Sequence, residues 1–245
     1  MSAKGIPKLK ILVEGGVIVV SILLAFGIDA WWDGRIERKQ EREVLAAIEA
    51  DFRDHLDVLA SAREHNEERF AEARLLLEVT GPDASSIPGE VRQVFADFDS
   101  YRPVRLRGGA LEALVGADGI GIISSLELRA ALSEWTQAKV RLAERNLYLE
   151  RQASALSDYL RTRIPVGRDA IGAGPSRFGG GLDDLARDLE FENLVAYRGG
   201  ASELILHDIE VLEEIAERVL SLVATGDNPQ GMATAMTTTT GEQRT

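Results

Sequence analysis

The chain of 245 residues holds three histidines, His55, His65 and His207, and no cysteine. Metal or proton-transfer chemistry would have to start from those imidazoles. His55 and His65 lie ten residues apart in one helical pattern, roughly 15 Å along a helix axis and out of each other's reach. No Glu-x-x-His or His-Glu-x-x-His spacing occurs, so carboxylate-bridged di-iron sites and zinc hydrolase sites lack their ligands. The missing cysteine also removes thiolate chemistry and a disulfide framework, and it is compatible with either side of a membrane. Gly167-x4-Gly172 has neither the Lys nor the Ser/Thr of a phosphate loop, and Gly119-Ile120-Gly121 follows no strand. Both read as turns. Ser124-Ser125-Leu126-Glu127 reads as a capping box, Ser124 accepting from the Glu127 amide, rather than as a nucleophile. Arg102, Arg105 and Arg107 could gather an anion, although pairing with the chain's own carboxylates is the simpler expectation. Carboxylates are so numerous that no single pair stands out as an acid–base couple. We therefore expect no catalytic residue, no cofactor site and no metal site, and a chain that is not an enzyme.

Charge narrows the partners. The formal net charge is −12, and residues 33–245 alone carry 25 basic and 38 acidic side chains, a net of −13. Such a balance repels phosphate backbones, so nucleic acid is not expected as a partner, and it opposes broad attraction to anionic lipid.

The elements that organise the chain begin with Ile11 to Trp32, ILVEGGVIVVSILLAFGIDAWW. Twenty-two residues at about 1.5 Å each give roughly 33 Å, enough to cross a bilayer's hydrocarbon core. Amides inside lipid must be satisfied within the segment, which calls for a helix. Lys8 and Lys10 precede the run and Trp31 and Trp32 end it, the residue types that anchor a span at its two interfaces. Glu14, Gly15, Gly16, Ile18, Ser21, Ala25 and Ile28 are the expected packing positions against another membrane helix. The small ones among them allow close approach, and Glu14 sits one turn from the basic flank. A cleaved signal peptide is the competing reading, but this run exceeds the usual 7–15 apolar residues and no A-x-A-like site follows it. The partners expected are a lipid bilayer and integral membrane subunits, with a homo-oligomer as a further option. The expected setting is a bacterial inner membrane, with residues 1–10 as a basic cytoplasmic flank and the domain periplasmic.

Beyond the anchor the pattern is helical throughout. From Arg35 to Val79 there is neither Gly nor Pro, and apolar residues recur by threes and fours, apart from a polar gap at His65–Asn66. A helix over 35–79, continuous with the anchor, should stop at Thr80-Gly81-Pro82-Asp83. Short helices are expected over 90–98 and 110–115. A long one over 125–163 carries a stripe from Leu128 to Leu160 that Lys139 and Asn146 interrupt. A Gly-rich joint at 167–181 leads to a helical pair, 182–197 and 201–224, split at Gly199-Gly200, and then to a Thr-rich tail over 227–245. The fold class is all-α: one N-terminal transmembrane helix, residues 11–32, followed by an extramembrane antiparallel helical bundle or coiled coil over 33–226.

Residues 13–52 (VEGGVIVVSILLAFGIDAWWDGRIERKQEREVLAAIEADF) and 110–135 (ALEALVGADGIGIISSLELRAALSEW) carry a resemblance. They are similar to a family of uncharacterised bacterial single-pass membrane proteins. In that family a Gly/Glu-led apolar helix ends in a Trp-containing turn and runs into a charged coiled coil. Its internal segment leads to a capped helix beginning Glu-Leu-Arg, here Glu127, Leu128 and Arg129. The order Val-Glu-Gly-Gly departs from the usual pattern. The resemblance implies a membrane-anchored helical protein and no activity. The expected function is an accessory or scaffolding subunit of a larger membrane complex, respiratory or photosynthetic for example. A membrane-anchored sensor is the second reading, and an enzyme whose pocket involves His55, His65 or the 102–107 loop is the third.

Overall fold

The computed structural model describes residues 8–94, 98, 100–117, 119–165, 178 and 181–226, and side chains of α1 from Val19 onward. The chain is all-α, with no strand among the described residues. A single helix, α1 (Lys8–Glu78), takes in 71 residues, roughly 107 Å of continuous helix. Two short helices follow, α2 (Gly89–Val94) and α3 (Ala110–Gly116), then a 3-10 turn at Gly119–Ile122. The long α4 (Leu126–Arg163) leads through the four-residue α5 (Leu182–Leu185) to the equally long α6 (Leu189–Gly226).

Helix α6 lies between α1 and α4 and packs along both. It runs antiparallel to α1: Arg63 pairs with Glu213, while Gly199 meets Ala73. It is also antiparallel to α4, where Glu134 pairs with Arg218 and Tyr159 stacks on Phe191 at 6.3 Å. Helices α1 and α4 are therefore parallel. They meet through large side chains, with the Phe52 and Trp135 ring centroids 4.7 Å apart.

Two parallel helices in succession need a connection that travels the length of the bundle, and residues 79–125 supply it as a strap. Its stations are fixed by side chains from the helices. Asp183 accepts from the Ile87 amide at 2.7 Å, and Asn146 bonds both backbone groups of Val104. His55 Nε2 donates to the Arg107 carbonyl at 3.0 Å, Asp51 accepts from the Ala110 amide, and Glu41 accepts from the Ser124 amide at 2.6 Å. A strap without a hydrogen-bond ladder of its own has to satisfy its buried amides in this way.

Three details differ from the sequence expectation. Gly199-Gly200 does not break the last element; α6 passes straight through it. A Cβ at Gly199 would stand 2.6 Å from the Ala73 Cβ, so the glycine serves close approach of α6 to α1. The capping residue of α4 is Ser125, whose hydroxyl accepts from the Leu128 amide at 3.2 Å, one position later than the Ser124–Glu127 box. The Glu41 bond to the Ser124 amide leaves Ser124 in the strap. The helix expected over 182–197 is interrupted after Leu185 and resumes as α6 at Leu189; of the one expected over 90–98, Gly89–Val94 is helical and 95–97 lie outside the described residues.

The apolar interior divides in two. One core joins Ile48, Phe52, Leu59, Trp135, Ile205 and Leu212; the other joins Leu76, Leu156, Leu160, Phe191 and Val195. Between them lies a buried polar layer, with Asn66, Arg69 and Glu72 from α1 and Arg198 and Ser202 from α6. Arg69 Nε lies 2.9 Å from Glu72 Oε2, and Arg198 Nη1 donates to Ser202 Oγ at 2.7 Å. The polar gap at His65–Asn66 is the sequence trace of this layer.

Candidate functional site

The first stretch that the fold leaves to something outside the chain is the upper part of α1. From Val19 to Trp32 no other described element covers the helix, and its large apolar side chains are 50–68% exposed. A helix apolar on all sides is normally buried or in lipid. Among the described residues no helix is long and apolar enough to cross a membrane. The described side chains of this run start at Val19, eight residues into it. Of the expected packing positions, Ser21, Ala25 and Ile28 are exposed on this segment. Glu14, Gly15, Gly16 and Ile18, with Lys8 and Lys10, fall where only the backbone is described. Trp31 and Trp32 sit at the bundle end of the segment, both 57% exposed, with the Arg35 guanidinium 5.8 Å over the Trp31 ring.

Just below the tryptophans the bundle opens into a groove of about 910 Å³ between α1, the start of α4 and the end of α6. Arg35, Arg38, Lys39 and Arg42 border it, and Leu45, Ile123, Leu128 and Leu222 form its apolar part. The four cations fall at i, i+3, i+4 and i+7 and so share one face of α1.

A second, smaller pocket of about 320 Å³ flanks the buried polar layer, between α1 and the strap. Asp57, Ser61, His65 and Asn66 line it from α1, and Arg102 and Arg105 from the strap. The histidine and the arginine loop, far apart in sequence, are thus brought together. Burial lowers the His65 pKa below its usual value, and the positive charges of Arg102, Arg69 and Arg198 push it the same way. The imidazole is therefore neutral near pH 7. Asp57, Ser61 and His65 stand one turn apart in a column, yet no hydrogen bond joins them among the described residues. A nucleophile–base pair would need that bond. Arg102, Arg105 and Arg107 are exposed, and among the described residues none of them is in an ion pair with the chain's own acids.

Several other titratable groups hold the fold. His55 is buried, stacked on Trp135 at 5.3 Å and edge-on to Phe52, and ties the strap through Arg107. His207 is exposed on α6. Lys139 bonds Glu112 at 2.7 Å, which together with its charge holds the Glu112 carboxyl below the usual range. No group of three or more metal-ligating side chains gathers among the described residues. Arg198 was not singled out from the sequence. Its signal was there, since it takes an apolar slot in the stripe Phe191, Val195, Ser202, Ile205. It donates to Ser202 and to the Ser100 carbonyl, and lies 5.9 Å over the Phe98 ring.

No family model matches the chain, and neither a curated protein nor a solved structure is significantly similar to it.

Proposed function

We propose that the chain is a non-catalytic accessory or scaffolding subunit of a larger bacterial membrane complex. In this reading residues 11–32 form a transmembrane helix that docks among other membrane helices through the Glu14–Ile28 face. The acidic bundle braces the complex on the periplasmic side of an inner membrane. The carrying observation is the bare apolar stretch of α1. A rigid helix that leaves the bundle with every described apolar side chain uncovered is a connector awaiting another medium. The residues flanking it, basic before and Trp31–Trp32 after, suit two interfaces. Among the described residues no hydrogen-bonded acid–base–nucleophile set surrounds His65, which favours a structural over a catalytic role.

The decisive experiment is extraction of native membranes in mild detergent, then native gel separation and mass spectrometry of the band that contains the chain. Co-migration with a defined set of larger membrane subunits is the expected result. Migration alone, as monomer or homodimer, would sink the accessory role.

That second outcome would favour a membrane-anchored sensor, for which one observation speaks. Helix α1 runs unbroken from the apolar segment to the buried Asn66–Arg69–Glu72 layer and its adjoining pocket. A ligand there would act on the same rod that enters the membrane.

A further inference from the structure

We propose that the groove at the head of the bundle is a binding site for one anionic glycerophospholipid, its phosphate held by the Arg35–Arg38–Lys39–Arg42 face of α1 and its glycerol and upper acyl chains by the apolar wall opposite. The inference deepens the membrane reading above and rests on it.

Charge carries the first half of the argument. The chain has 40 acidic and 28 basic side chains, so four cations gathered on one face of a helix run against its overall balance. Arg35, Arg38 and Arg42 form no ion pair among the described residues. Lys39 reaches only Glu43, at 3.6 Å with both side chains about 70% exposed, a geometry that holds little. Asp33 and Glu37, two residues to either side of Arg35, project from the opposite side of the helix. Glu41, the one carboxylate bordering the groove, is taken by the Ser124 amide. An anion arriving from outside therefore meets three guanidiniums and an ammonium against one carboxylate, Glu41, whose Oε1 already accepts from the Ser124 amide; the Arg42 Nε is turned to the Arg38 carbonyl. Guanidinium forks match phosphate oxygens. The Ser125 oxygen accepts from Leu128 and its O–H is left to donate.

Position and polarity carry the second half. The cationic face begins one turn after Trp31, whose ring Arg35 covers, so it lies at headgroup depth if the tryptophans mark the interface. The same end of the bundle leaves Ile36, Ile122 and Leu126 exposed, Leu126 by 74%. A soluble phosphate would not require an apolar wall, and a bilayer surface explains both features together. Although the net charge of the domain opposes broad attraction to acidic membranes, a local site of this kind is compatible with it.

The test uses the full chain purified from membranes in mild detergent and equilibrated with dioleoyl phosphatidylglycerol or dioleoyl phosphatidylcholine. Native mass spectrometry then counts retained lipid. One phosphatidylglycerol per chain should persist, with a preference over phosphatidylcholine of about tenfold or more. The triple variant Arg38→Gln, Lys39→Gln, Arg42→Gln should lose that preference. A control removing Arg151 and Arg161, at the far end of α4, should keep it. Equal retention of the two lipids, or undiminished phosphatidylglycerol on the triple variant, overturns the site. So does a co-purifying polypeptide that leaves with the three cations while no lipid is retained. Alkaline carbonate extraction of wild type tests the anchor separately. If the chain is released, the membrane reading falls, and flotation of the released chain with phosphatidylglycerol vesicles still decides the groove.

Discussion

Asn146 on α4 grips Val104 on the strap from both sides, its amide nitrogen donating to the Val104 carbonyl at 2.9 Å and its oxygen accepting from the Val104 amide at 3.0 Å. Val104 is buried, so these two backbone groups have few alternatives. The polar residue that interrupts the α4 stripe thus fixes a loop that has no regular structure of its own. Asn146→Ala should cost about 2 kcal/mol, and Asn146→Leu more, because leucine also keeps water from the freed groups. The readout is the melting temperature in mild detergent together with trypsin cleavage at the 102–107 arginines, which should quicken in both variants. Unchanged cleavage would show that the strap is held elsewhere.

Gly199 sits where α6 comes closest to α1. In an ordinary helix Gly→Ala stabilises by about 1 kcal/mol. Here the new Cβ would lie 2.6 Å from that of Ala73, and overpacking of this kind typically costs about 1–3 kcal/mol. Gly199→Ala should therefore lower the melting temperature, and Ala73→Gly in the same chain should restore most of the loss. A stabilising Gly199→Ala would mean that the two helices have room to part.

His65 makes stability depend on pH. Its pKa is lowered in the folded chain, chiefly by burial and then by Arg102, Arg69 and Arg198, so below about 6.5 the unfolded chain takes up the proton first. The His65 contribution is present above that pH and is lost as pH falls from there through the folded pKa. His65→Asn should flatten the change in melting temperature between pH 7.5 and 5.5 relative to wild type. Equal slopes in the two proteins would rule the effect out.

Tyr159 donates to Asp188 Oδ2 at 2.6 Å at the far end of the bundle. Burial, and after it this bond, raises the Tyr159 pKa, and the bond is the main cause that holds the Asp188 carboxyl below its usual range. A lowered carboxyl stabilises the fold above its unfolded pKa, and that contribution goes as pH falls through the folded value. Tyr159→Phe should cost about 1 kcal/mol near neutrality, with a smaller difference from wild type in strong acid. Identical acid-unfolding curves would remove Asp188 from the account.

The bare segment of α1 and the interior packing were legible in the sequence for different reasons. Periodicity of 3.6 marked α1 and α4, since a helix that buries one face must repeat that face in its sequence. The break expected at Gly199-Gly200 failed because glycine was read through its backbone freedom, whereas this position answers to a neighbouring helix. The capping box slipped by one residue because Ser124 and Ser125 are equivalent in local pattern. What separates them is Glu41, 83 residues away, which accepts from the Ser124 amide.

The residues by themselves determined that this chain is helical, acidic, free of thiol chemistry and headed by a long apolar run, because composition and period are local properties that no partner alters. Only the tertiary structure decided that α6 lies between two parallel helices, that 79–125 returns as a strap, and that His65 shares a pocket with Arg102 and Arg105. It alone placed the Arg35–Arg38–Lys39–Arg42 face of α1 beside an apolar groove. Each of these joins residues tens of positions apart, and such juxtapositions are set by how whole helices stack, which no local window of sequence encodes.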